Sequence, residues 1–187
     1  MRRTFFLLSF LLFLVSSCDL RLESAAPERV VPSPPTAPVS ALGGTVGQAT
    51  VTRIVDGDSY YVTTGGKPFE VRMIGIDTAE VNGHTQKGAY CPDDALGEQA
   101  KARLTQLLPV GSTVTLIKDK TERSYDRYLR YTDSAEIGDV GLVMIREGWA
   151  RPVQVGRDKA RWPQYWAAGE ASRVAGGLIW SCVLVGG

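Results

Sequence analysis

Between residues 49 and 76 the chain breaks into three apolar runs, each closed by turn residues, before any helical spacing appears. ATVTRIV (49–55) is closed by DGDS (56–59), YYVTT (60–64) by Gly65 and Gly66, and PFEVRMIGI (68–76) stops at Asp77. Short β-rich runs separated by Asp, Gly and Ser read as hairpin-linked strands. The period then changes. Leu96, Ala100, Leu104, Leu107 and Leu108 recur at helical spacing after Asp93 and Asp94, which can cap a helix start, and Pro109 stops the helix. STVTLIK (112–118) and RYLRYT (127–132) return to strand patterning, and DVGLVMIREG (139–148) reads as a short helix ended by Gly148. A last helix begins near Pro163 and runs to Gly176 and Gly177, with Leu178, Ile179 and Trp180 packing behind it. Five strands with a helix between the third and fourth predict an α+β fold: a five-stranded OB-type barrel with about three helices.

The N-terminal end follows other rules. Arg2 and Arg3 precede an apolar run over 5–15 that is too short to span a bilayer, and Ser16 and Ser17 follow it. That layout predicts a secretory signal peptide over 1–17. Val15-Ser16-Ser17-Cys18 is similar to the bacterial lipobox, which implies acylation at Cys18; an ordinary signal peptide with a cysteine near its end is the other reading. Residues 18–47 hold Pro27, Pro32, Pro34, Pro35 and Pro38 without apolar periodicity, the composition of an extended tether. The expected organisation is therefore leader, tether, one domain over 48–182, and a tail over 183–187. The expected location is the periplasmic or cell-surface side of a membrane, anchored through Cys18.

The whole chain carries 21 basic and 20 acidic residues, so any anionic partner must be held by a local basic site. If Cys18 carries lipid, Cys91 and Cys182 remain, and two cysteines in an exported chain read as a disulfide, with two free thiols as the alternative. A single histidine, His84, removes paired-histidine zinc motifs and leaves little for a Ser-His-Asp triad. DGDS opens like a calcium-binding EF-hand loop, but Tyr61 and Lys67 stand where that loop needs glycine and glutamate.

The remaining chemistry lies in VRMIGIDTAE (71–80), where an apolar strand carries Arg72 and ends at Asp77, with Glu80 three residues on. Together, VDGDS, VRMIGIDTAE, GEQA, DRYLR, VMIREGWA and GLIW, in this order over about 50–180, resemble the staphylococcal-nuclease-like (thermonuclease) family. The resemblance implies a calcium-dependent phosphodiesterase that cuts DNA, with RNA open as a second substrate, and leaves a 3′-phosphate. By the same resemblance Asp58 and Asp77 are Ca2+ ligands through their side chains, and Thr78 is one through its carbonyl. Glu80 handles the attacking water, Arg72 and Arg130 hold the phosphate, and Arg127 and Tyr128 contact a terminal phosphate of the nucleotide. No protein partner is implied, and a monomer is expected.

The residues themselves agree with this. Hard oxygen donors suit calcium or magnesium, planar guanidinium groups suit phosphate oxygens, and period-two geometry puts Tyr128 and Arg130 on one strand face. Each piece alone also has an ordinary structural explanation. Asp56-Gly57 is a common hairpin turn, Asp77-Thr78 a common cap, and Arg72 with Glu80 a simple salt bridge. Departures from the family pattern are Ser59 for threonine, Ala79 for proline and Leu129 for glycine, with Gln154 and Gly156 where the staphylococcal enzyme stacks tyrosines. The runner-up reading is a non-catalytic OB-fold module that binds nucleic acid or another anionic ligand.

Overall fold

The computed structural model describes residues 44–81, 89–91, 95–154 and 156–184; the leader, Cys18, the tether up to residue 43 and His84 lie outside them. Three strands open the fold as an antiparallel meander: β1 (Gly44–Ile54), β2 (Ser59–Thr63) and β3 (Phe69–Met73). Their registers set Val51 opposite Val62 and Tyr60 opposite Val71, and all four side chains are buried on one face. Next come β4 (Ile76–Thr78), β5 (Ala89–Tyr90), α1 (Ala95–Leu107), β6 (Thr113–Lys118), β7 (Arg123–Ser124) and β8 (Arg127–Ser134). The other edge of β1 pairs with β6, β6 pairs antiparallel with β8, and β8 runs parallel to β3. That last pairing closes a five-stranded mixed barrel in the strand order of an OB-fold. β1 serves two neighbours because it is 11 residues long and bends at a register shift against each of them.

Helix α1 lays Leu96, Ala100 and Leu104 into the same core as the barrel interior or its satellite cluster, and Pro109 follows its end. After β9 (Gly138–Asp139), the Asp139 carboxylate caps α2 (Val140–Arg146) by accepting the Leu142 N–H at 3.0 Å. The chain continues through β10 (Ala150–Pro152), α3 (Trp162–Val174), a 3₁₀ turn (Leu178–Ser181) and β11 (Val183–Leu184). Pro163 sits in the first turn of α3, where its missing N–H costs nothing. Arg161, just before α3 and 1% exposed, donates to Asp133 at 2.6 and 2.9 Å and pairs with Asp139 at 2.8 Å. This buried bidentate pair fastens α3 to β8 and to the cap of α2.

Two departures from the strand pattern matter for the site. The third strand does not run unbroken to Ile76: it stops at Met73, turns at Ile74 and Gly75, and resumes as β4. Gly75 has φ of +83°, a conformation that a side chain would strain, and the turn lets β4 leave the barrel and pair with β10. β1 also begins at Gly44, ahead of the run that starts at Ala49. At the far end Cys91 and Cys182 are disulfide-bonded, with Cα atoms 4.2 Å apart, and β11 pairs with β5 beside them.

Candidate active site

The barrel delivers the site residues from three strand ends. Asp58 lies in the turn before β2, Arg72 near the end of β3, and Asp77 and Thr78 on β4; the register sets Ser59 opposite Arg72. Asp58 is 1% exposed and Asp77 5% exposed. Burial at that level demands partners for carboxylates. Asp58 Oδ2 accepts the Thr78 N–H at 3.0 Å and the Thr78 hydroxyl at 3.2 Å, and Asp58 Oδ1 accepts the Ser59 hydroxyl at 2.9 Å. The Arg72 guanidinium pairs with Asp58 through Nη1 and donates through Nη2 to Asp77 Oδ1 at 2.8 Å and to the Ile76 carbonyl at 3.3 Å. Two buried carboxylates therefore converge on one cationic group.

Glu80 stands two residues past the end of β4 and is half-buried. Burial raises its carboxyl above the ordinary range, the charges of Asp56 and Asp77 push the same way, and Arg72 and Arg127 oppose them. A carboxylate held this way binds a proton more tightly than an exposed one, which is the property a base needs. Helix α1 fixes its backbone. A Cβ built at Gly97 would collide with the Glu80 carbonyl, so only glycine lets the helix lie this close. Asp56, in the turn before β2, accepts the Asp58 N–H at 2.9 Å, and its carboxyl is itself raised by burial against the pull of Arg72. The signal for it was present in the DGDS string, one turn from Asp58.

The two arginine positions on β8 divide differently. Arg130 is 3% exposed and its guanidinium is engaged by neighbouring groups: Nη1 donates to the Leu129 carbonyl at 2.7 Å and the Glu122 carbonyl at 3.3 Å, and Nη2 pairs with the Glu122 carboxylate. It lines a cleft with Gly44, Thr45, Val46, Lys118 and Glu122. The Tyr128 ring meets two guanidinium groups, that of Arg123 at 4.0 Å from its centroid and that of Arg130 at 5.1 Å, and the Tyr128 hydroxyl accepts from Arg123. Arg127 is half-exposed. So Asp58, Arg72, Asp77 and Thr78 are joined directly, with Glu80 beside them, while the side chains of Tyr128 and Arg130 engage Arg123 and Glu122. Gln154 is exposed.

The model of the staphylococcal nuclease homologue family matches residues 70–182, more than half of the 187-residue chain. The chain belongs to that family. The matched stretch contains Arg72, Asp77, Glu80, β8 and both cysteines, while β1, β2 and Asp58 precede it. A comparison with curated proteins finds no match. Family membership and the closed barrel make this domain a nuclease or nucleic-acid-binding OB-fold module, in a family that is typically metal-dependent.

Proposed function

We propose that the chain is a metal-dependent endonuclease, cleaving DNA and accepting RNA as a second substrate, with calcium as its cation. The observation that carries this reading is the convergence of the buried Asp58 and Asp77 carboxylates on a cationic group, with Glu80 beside them. Among the described residues no group of three or more His, Cys, Asp or Glu side chains is close enough to hold a metal ion. The donors that fit a hard cation are thus the two aspartates with the Thr78 carbonyl and water, all oxygen, as calcium prefers. Bound there, the cation would supply charge stabilisation to the phosphate oxygens.

The residues of the chain do the rest. Glu80 takes a proton from the attacking water as its oxygen bonds to phosphorus. The bond from phosphorus to the 5′-oxygen breaks, and the leaving oxygen takes a proton from solvent, giving a 3′-phosphate and a 5′-hydroxyl. Arg72 donates to the phosphate oxygens as charge builds on them. Export, the membrane anchor at Cys18 and a monomeric state belong to the same proposal, and rest on the leader pattern and the absence of any sequence feature calling for a partner.

The test is incubation of the purified protein with single-stranded DNA, first with calcium and then with excess chelator. Fragments ending in 3′-phosphate that cease to form on chelation are expected. DNA that is retained but never cut would contradict the nuclease reading and favour the binding module. Undiminished cutting in chelator would contradict the metal.

A further inference from the structure

Glu80 depends on packing for its placement. Alanine at 79 leaves the backbone before it free to turn, where a proline would fix φ. Ala79 is buried in a satellite core with Cys91, Leu96, Ile179 and Cys182, which meets the barrel core at Trp149. Leu96 brings Gly97 against Glu80, so close that a Cβ on Gly97 would collide with the Glu80 carbonyl oxygen. Two members of this core therefore flank the Glu80 backbone, Ala79 before it and Leu96 on the first turn of α1.

The other three members come from the two segments that the disulfide joins. On one side, the Ile179 N–H reaches the Gly148 carbonyl at 2.9 Å, and Arg151 donates to the Ile179 carbonyl at 2.9 Å and to the Cys182 carbonyl. On the Cys91 side, β5 pairs with β11 over two residues, Ala89 with Leu184 and Tyr90 with Val183, in a ladder that joins no other strand among the described residues. So short a two-stranded ladder is marginal alone, and Leu96 and Ile179 are the only long aliphatic side chains among the buried residues of this core. Such packing offsets poorly the conformational entropy lost in ordering both segments. The S–S bond closes the loop covalently, so that packing no longer has to bring the segments together. Glu80 lies between two fixed points, β4 paired with β10 on one side and the bonded Cys91 on the other.

We propose that the Cys91–Cys182 bond positions Glu80 by closing the satellite core, and that its reduction switches hydrolysis off while the barrel stays folded. This rests on the phosphodiesterase reading above, with Glu80 as the group that handles water. Reduction by an external dithiol transfers two electrons and two protons to the cystine, leaving two thiols on the chain and the dithiol as a disulfide. Ile179 and Cys182 keep their hydrogen bonds to Arg151, so the Cys91 side is the one released. Asp58, Arg72, Asp77 and Thr78 keep their mutual contacts at strand ends of the barrel. Phosphate binding therefore survives while the base loses its fixed position. Cys91 and Cys182 are both buried, so exchange waits for local opening, and the state set as the chain folds persists. A copy that folds in a thiol-reducing compartment is held inactive, and one that folds where thiols are oxidised is active.

The test is steady-state cleavage of single-stranded DNA, with calcium, by the full chain refolded with and without excess dithiothreitol, its free thiols counted by alkylation. Turnover is taken per folded molecule, from circular dichroism in the same buffer. The reduced chain should show kcat lower by about 10²-fold, the effect of a misplacement of about 1 Å, with KM unchanged, and reoxidation should restore it. Ile179→Ala thins the same core with the bond intact and should lower kcat in the oxidised chain. Val114→Ala removes a buried side chain from β6, in the barrel core, and should lower the thermal midpoint alone. A reduced chain that melts earlier yet turns over at the oxidised rate would make the bond a stabiliser only and overturn the proposal. So would a reduced chain that unfolds, a wild-type kcat in Ile179→Ala, or a loss of kcat in Val114→Ala as large as on reduction. A chain that never cuts in either state is a separate result, and it sinks the phosphodiesterase reading on which the proposal stands.

Discussion

At the scale of single residues, Asp58 links folding to chemistry. Its two oxygens hold the Thr78 N–H and hydroxyl, the Ser59 hydroxyl and the Arg72 guanidinium, at 1% exposure. Removing one partner of a buried charged pair strands the other, at a cost on the order of 3–5 kcal/mol. Arg72 keeps Asp77, so Asp58→Ala should fall at the lower end, about 3 kcal/mol, read as a drop in the urea midpoint. An unchanged midpoint would mean that Asp58 is not a structural partner of β4.

At the scale of elements, α1 and β4 determine where Glu80 stands. Glycine to alanine in an exposed helix interior ordinarily stabilises by about 0.5–1 kcal/mol. At Gly97 the added Cβ would meet the Glu80 carbonyl and the Val81 nitrogen, both backbone atoms that cannot rotate away. Gly97→Ala should therefore destabilise the fold and displace Glu80. A displacement of about 1 Å is enough to cost on the order of 10²-fold in rate. Thermal melting and kcat of this variant check both effects, and a more stable, equally active protein would contradict the packing. The helix itself was legible from its apolar spacing, as were the five barrel strands from their alternation and turns. The grouping of Asp58, Arg72, Asp77 and Glu80 was legible because they sit at strand ends, where local motifs are read directly. What could not be read locally depended on pairing across distance. The short β4–β10 ladder has no pattern of its own, and the parallel pairing of β3 with β8 is a register that no single segment encodes. Arg161 carries no local signal, because its partners Asp133 and Asp139 come from other elements.

At the scale of the whole molecule, the Cys91–Cys182 bond and Arg151 join the chain's end to the site strand. Arg151 stands opposite Asp77 in the β10–β4 ladder and donates to the Ile179 carbonyl at 2.9 Å and to the Cys182 carbonyl. A closure of 91 residues is worth about 4–5 kcal/mol by the loop-entropy relation, with engineered examples often giving less. Denaturation with and without reductant should show a loss of that order, and Cys91→Ser should reproduce it. Equal midpoints in both conditions would mean that the bond does not constrain the unfolded chain. The central claim, however, is that this barrel positions a carboxylate to activate water against a phosphate. Glu80→Gln keeps the side chain's size and removes its charge and basicity, leaving Asp58, Asp77 and Arg72 in place. The direct measurement is kcat on single-stranded DNA with calcium, beside affinity for thymidine 5′-phosphate, for wild type and Glu80→Gln. The account predicts turnover lower by about 10²–10⁴-fold with nucleotide affinity unchanged. Wild-type turnover in Glu80→Gln would contradict it.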